Sequence, residues 1–165
     1  MKRAIKIILI VLLIVLVCIQ FIRPAKNISN TVSNYDITNR YSMPPDVLKI
    51  FQNSCYDCHS NNTRYPWYSN VQPVDWWLTN HINEGKRGLN FDEYTNRRLR
   101  YQYGKMDDVI DLLKKGEMPL NSYTWIHKDA ILTDAEKTTL INWAQGIMDT
   151  LKAKYPADSL LRKKQ

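Results

Sequence analysis

At 165 residues and a formal net charge of +7, the chain has room for one ordinary domain plus an appendage. Three cysteines, one of them in an apolar N-terminus, exclude a disulfide framework. The basic balance favours nucleic acid, anionic lipid and acidic proteins alike. No recognition helix, RNP motif or arginine-rich arm is present, and the cations are scattered over Arg97, Arg98, Arg100, Lys105, Lys114, Lys115 and the tail Arg162-Lys163-Lys164, so no nucleic-acid partner is expected.

Residues 1–24 read as an N-terminal membrane anchor. Met1-Lys2-Arg3 opens the chain, Ile7 to Ile22 is aliphatic apart from Cys18, Gln20 and Phe21, and Arg23-Pro24 stops the run. Val15-Leu16-Val17 before Cys18 suits neither an A-x-A cleavage site nor a lipoprotein site, so an uncleaved signal-anchor is expected. Lys2, Arg3 and Lys6 on the short side favour a single pass through a bacterial cytoplasmic membrane, with the body on the periplasmic or outer side. Residues 25–43, rich in Asn, Ser and Thr, read as a polar tether.

Beyond Pro44-Pro45 the pattern is helical. Val47, Ile50 and Phe51 recur at helical spacing over Asp46–Ser54, which runs into Cys55. Residues 61–73 form a loop around Tyr65, Trp67 and Tyr68, and Val74–Glu84 predicts a helix ended by Gly85 or Gly88. Asn90 with Glu93 resembles a capping box, and Gly104-Lys105 divides the following stretch into two helices, the second over Met106–Lys115. Gly116-Glu117-Met118-Pro119 ends that helix and begins an ordered loop. Thr133 caps the last helix with Glu136 at its third position, and Leu140, Ile141, Trp143, Ala144, Ile147, Met148 and Leu151 form its apolar face. Pro156 stops it, residues 156–165 form a basic tail, and no segment carries a strand pattern. The fold class is therefore all-α, with the body over residues 44–155.

Cys55-Tyr56-Asp57-Cys58-His59 is a C-x-x-C-H sequence, the attachment signature of c-type haem. Two thiols three residues apart at a helix end can each form a thioether to one vinyl group, and the adjacent imidazole can then meet the iron. Other readings of the pair are a zinc site completed by His81 or His127, a thioredoxin-like motif, and a simple disulfide. The first lacks a second cysteine pair and the second lacks a preceding strand. An electron-transfer haem needs a second axial ligand. Met118 is the leading candidate, with His81 and His127 as alternatives. The 5 tryptophans and 10 tyrosines could wall such a cofactor or simply fill a core.

With C-x-x-C-H early, Met118-Pro119 late, and Leu132-Thr133-Asp134-Ala135-Glu136 leading to Ile141-Asn142-Trp143, residues 44–151 resemble the cytochrome c class. The likeness extends to bacterial membrane-tethered haem-binding domains with a C-x-x-C-H motif. The resemblance implies a cytochrome c-like helical domain around one covalent haem c and its iron. In it Cys55 and Cys58 are the thioether positions, His59 the proximal ligand and Met118 the distal one. It departs from a minimal cytochrome c over residues 65–105, which are longer, more aromatic and contain His81. The implied function is one-electron transfer, without enzymatic turnover, to a redox partner acidic at its docking face. The alternative is a haem enzyme or gas or redox sensor with an open or exchangeable sixth position, peroxidase-like, using His81, His127 or Arg87. A non-haem binding module built on the tryptophans is the third class.

Overall fold

The computed structural model describes residues 1–161, so the basic residues Arg162, Lys163 and Lys164 expected in the tail lie outside the described residues. Eight α-helices and four 3-10 turns follow one another, with no strand among the described residues. They are α1 (Lys2–Ile19), α2 (Pro45–Ser54), α3 (Tyr56–His59), α4 (Val74–Gly88), α5 (Leu99–Lys115), α6 (Asn121–Thr124), α7 (Asp134–Lys154) and α8 (Ala157–Leu160).

The core is the seam between α5 and α7, closed at one end by α2. Met106, Ile110 and Leu113 of α5 face Leu140, Ala144, Ile147, Met148 and Leu151 of α7, and Val47, Ile50 and Phe51 of α2 complete the cluster. Burial of these apolar side chains drives the assembly, each fully covered one contributing about 1.5–3 kcal/mol. At the start of α7 the capping box forms as expected: Thr133 Oγ1 accepts from the Glu136 backbone N–H at 3.2 Å, and the Glu136 carboxylate accepts from the Thr133 N–H at 2.8 Å. The Thr133 N–H and hydroxyl, both donating to it, hold the Glu136 carboxyl below its ordinary range. At the end of α5, Gly116 adopts φ +67°, the left-handed conformation that glycine takes without a Cβ penalty.

Several elements differ from the sequence expectation. Gly104 does not divide two helices, because α5 continues through it from Leu99 to Lys115. A helical glycine costs only about 1 kcal/mol, less than the packing of Tyr103 and Met106 on either side supplies. Asn90 does cap, accepting from Asp92 N–H, but it caps the 3-10 turn Phe91–Glu93 rather than an α-helix. Of the two expected stops for α4, the helix passes Gly85 and ends at Gly88, as the second allowed.

The segment 25–43 is no free tether. Ile37 and Tyr41 are buried in the main core, the Tyr41 hydroxyl donates to Gln102 Oε1 at 2.9 Å, and Thr95 N–H donates to the Tyr35 carbonyl at 3.0 Å. Asn27 is held equally firmly: its side-chain amide donates to the Ser60 carbonyl and to Thr63 Oγ1, both at 2.9 Å. The domain likewise does not end at residue 155, since Leu160 of α8 is buried in the same core.

α1 is helical as expected, with none of its residues buried. Among the described residues, no helix is long and apolar enough to cross a membrane. α1 has 18 residues, and Lys2, Arg3 and Lys6 fall among its first five, so the expected span through Ile22 does not form as one uninterrupted apolar helix.

Candidate functional site

The C-x-x-C-H residues sit where α2 breaks into α3. Cys55 leaves helical geometry at φ −124°, its N–H still donating to the Phe51 carbonyl of α2. Its own carbonyl accepts from the N–H groups of Cys58 at 3.2 Å and His59 at 3.0 Å. The kink turns both thiols and the imidazole toward one cavity of about 470 Å³, within the range of small-molecule and cofactor sites.

The cavity is mainly apolar. Phe51, Phe91, Leu113 and Trp143 are among the side chains that wall it, as are Leu112 and Met118. Phe51 is the hub beneath, its ring edge-on to Phe91 at 4.7 Å and to Trp143 at 5.0 Å. Trp143 is fixed by donating its indole N–H to the Ser42 carbonyl at 2.9 Å.

His59 Nδ1 lies 2.8 Å from the Leu89 carbonyl, which makes Nδ1 the donor and leaves Nε2 as the lone-pair nitrogen. That tautomer is the one a metal-ligating histidine adopts when a carbonyl orients its ring. Burial also pushes the imidazole below its usual range, against the opposing backbone bonds to Leu89 and Gly85, so the neutral form that can donate a lone pair prevails. Burial pushes the Cys55 thiol up to about 12 and the Cys58 thiol to about 11. No disulfide joins the two cysteines.

Asp57, between the cysteines, is buried and clamped. Its carboxylate accepts from Arg64 N–H at 3.0 Å, from Arg64 Nε at 3.2 Å and from the Tyr123 hydroxyl at 2.7 Å. Burial, reinforced by Asp57, keeps the Tyr123 phenol protonated well above its ordinary range. Through this clamp the motif is tied to α6, the helix that follows Met118-Pro119. Arg64 and Tyr123 are therefore site residues that sequence reading passed over. An acid inside the motif with a cation seven residues on was the available signal, but the tyrosine 66 positions away offered none.

A second omission is Gly85, read from sequence only as a helix stop. A Cβ there would come within 2.6 Å of the Cys58 carbonyl oxygen and 3.1 Å of its Cβ. The missing side chain is what lets α4 lie directly against the motif.

Of the three candidate distal ligands, Met118 and His81 line the cavity and His127 does not. His127 Nε2 is taken up by the Tyr68 hydroxyl at 2.6 Å, and its ring stacks on Tyr123 at 4.3 Å. His81 holds its ring by Nδ1 on the Trp77 carbonyl at 2.9 Å. Arg87 is exposed, pairs with Glu84 at 3.9 Å and takes no part in the cavity wall.

A family model described as a haem-binding domain matches residues 14–146. The chain belongs to the haem-binding domain family. No curated protein and no solved structure matches it. The site fits that cofactor: a wide apolar cleft can cover a flat macrocycle, a neutral imidazole presents Nε2 for iron, and two protonated thiols lie beside it. Lys105, the cation in the cavity wall, is paired with Asp108 at 2.8 Å.

Proposed function

We propose that this haem-binding protein is a monohaem c-type cytochrome that carries single electrons at the outer face of a bacterial cytoplasmic membrane, and that it is not an enzyme. The observation that carries the reading is the convergence of Cys55, Cys58, His59 and Met118 on one cavity, with the His59 ring oriented by Leu89. When bound, the haem supplies a one-electron couple at its iron. Cys55 and Cys58 serve as the two thioether positions, which require reduced thiols that have not paired with each other. His59 is the proximal ligand and Met118 the distal one.

The protein's part in electron transfer is to hold geometry and exclude water. The Phe51, Phe91 and Trp143 cluster backs the cleft, and the Asp57–Arg64–Tyr123 clamp fixes the motif against the Met118 loop. Little nuclear rearrangement between oxidation states is what such a wall favours. Lys114 and Lys115, exposed at the end of α5 beside Met118, suit a partner that is acidic at its docking face.

α1 anchors the protein in this reading. At about 1.5 Å per residue an 18-residue helix is about 27 Å long, close to the roughly 30 Å hydrocarbon core. Lys2, Arg3 and Lys6 reach back to the cytoplasmic interface along their own alkyl stems, and local thinning of the bilayer absorbs the remaining mismatch.

The distal assignment has a spectroscopic test. Magnetic circular dichroism of the oxidised protein should show the methionine-to-iron charge-transfer band, and Met118→Ala should abolish it. A band that survives the substitution refutes Met118, and bis-histidine spectra in the unaltered protein assign His81 instead. Rapid, complete carbon monoxide binding by the reduced unaltered protein would point to an open sixth position and overturn the electron-carrier reading.

A further inference from the structure

Where α1 ends, the chain does not swing free: it is latched to the start of α4. The Gln20 side-chain carbonyl accepts from Gln72 N–H at 2.9 Å, and its amide donates to the Gln72 carbonyl at 3.3 Å. The Gln72 side-chain amide donates to the Ile22 carbonyl at 3.0 Å, and the Trp76 indole N–H donates to the same carbonyl at 2.9 Å. Gln72 itself is 2% exposed, with Asp75 beneath it at 3.0 Å, so the latch is rooted in the domain interior. Lys26 adds a further tie, donating to Asn70 Oδ1 at 3.0 Å and lying over the Tyr65 ring.

Around this latch the domain exposes large apolar side chains. Trp67 is 80% exposed and Trp77 48%, with Val71, Val74 and Trp76 open between them and Phe21 and Ile22 on the chain leaving α1. A cluster of this kind marks a contact surface. Two features specify its occupant. Continuity with the unburied α1, which carries no charge from Ile7 to its end, means that whatever surrounds that part of the helix also meets this collar. The exposed cations Arg23 and Lys26 follow α1 directly, and Lys26 is tied to Asn70 beside Val71, so positive charge that suits an anionic headgroup accompanies the cluster. Tryptophan, with an apolar body and a polar N–H, favours the water–hydrocarbon boundary.

We infer that the haem domain is docked on the bilayer as a rigid extension of α1, with the Trp67, Val71, Val74, Trp76 and Trp77 collar seated among anionic phospholipid headgroups. This rests on the reading of α1 as the membrane anchor. One consequence concerns the cofactor: His81 lines the cavity and its ring lies 4.2 Å from that of Trp77, so one wall of the haem cleft stands a single side chain from the lipid surface. An electron partner confined to the bilayer therefore reaches this edge without detaching the domain.

The full-length holoprotein, labelled with 5-fluorotryptophan and reconstituted in nanodiscs containing phosphatidylglycerol, provides the test. Fluorine resonances are assigned by single Trp→Phe substitutions, and discs with and without a gadolinium-chelating headgroup lipid are compared, which cancels any relaxation from the iron. Trp67, Trp76 and Trp77 should broaden severalfold more than Trp143, which packs against Phe51 in the domain core. If the protein co-purifies with discs but these three lines broaden no more than Trp143, the domain does not dock; the proposal is overturned and the anchor reading survives. Failure to co-purify with discs at all overturns both.

Discussion

His59→Ala should yield exported protein without the absorption of a six-coordinate low-spin haem, the largest spectroscopic change of any single substitution considered. The Leu89 carbonyl orients only this imidazole, and among the described residues that line the cavity the remaining nitrogen donors are His81 and Lys105. Lys105 is paired with Asp108, so it does not stand ready to replace the lost ligand. Optical spectra and haem-to-protein ratio measure the outcome. A variant retaining the low-spin spectrum at full occupancy would assign the proximal position elsewhere and remove the role given to the Leu89 hydrogen bond. Far-ultraviolet circular dichroism separates loss of the ligand from loss of the fold.

Gly85→Leu should damage the site from behind without altering a ligand. Its Cβ would lie 2.6 Å from a backbone oxygen of the motif, so no side-chain rotation relieves the clash, and α4 must withdraw from α3. Overpacking of this kind costs about 1–3 kcal/mol, often more where backbone must move. Because Cys58 and the Gly85 turn both line the cavity, haem occupancy should fall along with the melting temperature. Gly104→Ala is the matched control. That residue also lies inside a helix, but a Cβ there meets nothing within 4 Å, so stability should hold or rise by up to about 1 kcal/mol. Equal destabilisation by both substitutions would mean that helical backbone, rather than the α3–α4 approach, sets the cost.

The two glycines also show how far local signals carried. Gly104 looked like a break and is not, while of the two possible stops Gly85 and Gly88 the helix ends at the second and the first is a contact. In each case the deciding partner comes from another element, so spacing along the chain held no trace of it. The all-helical class and the capping box at Thr133 and Glu136 were legible because their causes are local. The spacing of Cys55, Cys58 and His59 is local as well, and the structure brings all three to one cavity.

The segment 25–43 was misread for the opposite reason. Ile37 and Tyr41 are two buried side chains in a polar stretch, too few to establish a period, and Gln102, which receives the Tyr41 hydroxyl, lies 61 residues on. Composition recorded the solvated majority and missed the two anchors. For the distal ligand, sequence ranked Met118 above the two histidines, and geometry separates those two: His81 reaches the cavity wall, whereas His127 is engaged by Tyr68 and Tyr123.

The central claim is that Cys55 and Cys58 hold the haem covalently. It is tested most directly by the intact mass of protein exported from a cell competent in haem attachment, measured after denaturation and paired with a haem stain of the denatured polypeptide. The account predicts a mass heavier by one haem, a stained band, and loss of both in the Cys55→Ala, Cys58→Ala double variant. A bare polypeptide mass alongside haem that is freely extracted by denaturant would contradict it, leaving a haem-binding protein whose cofactor is held without thioether bonds.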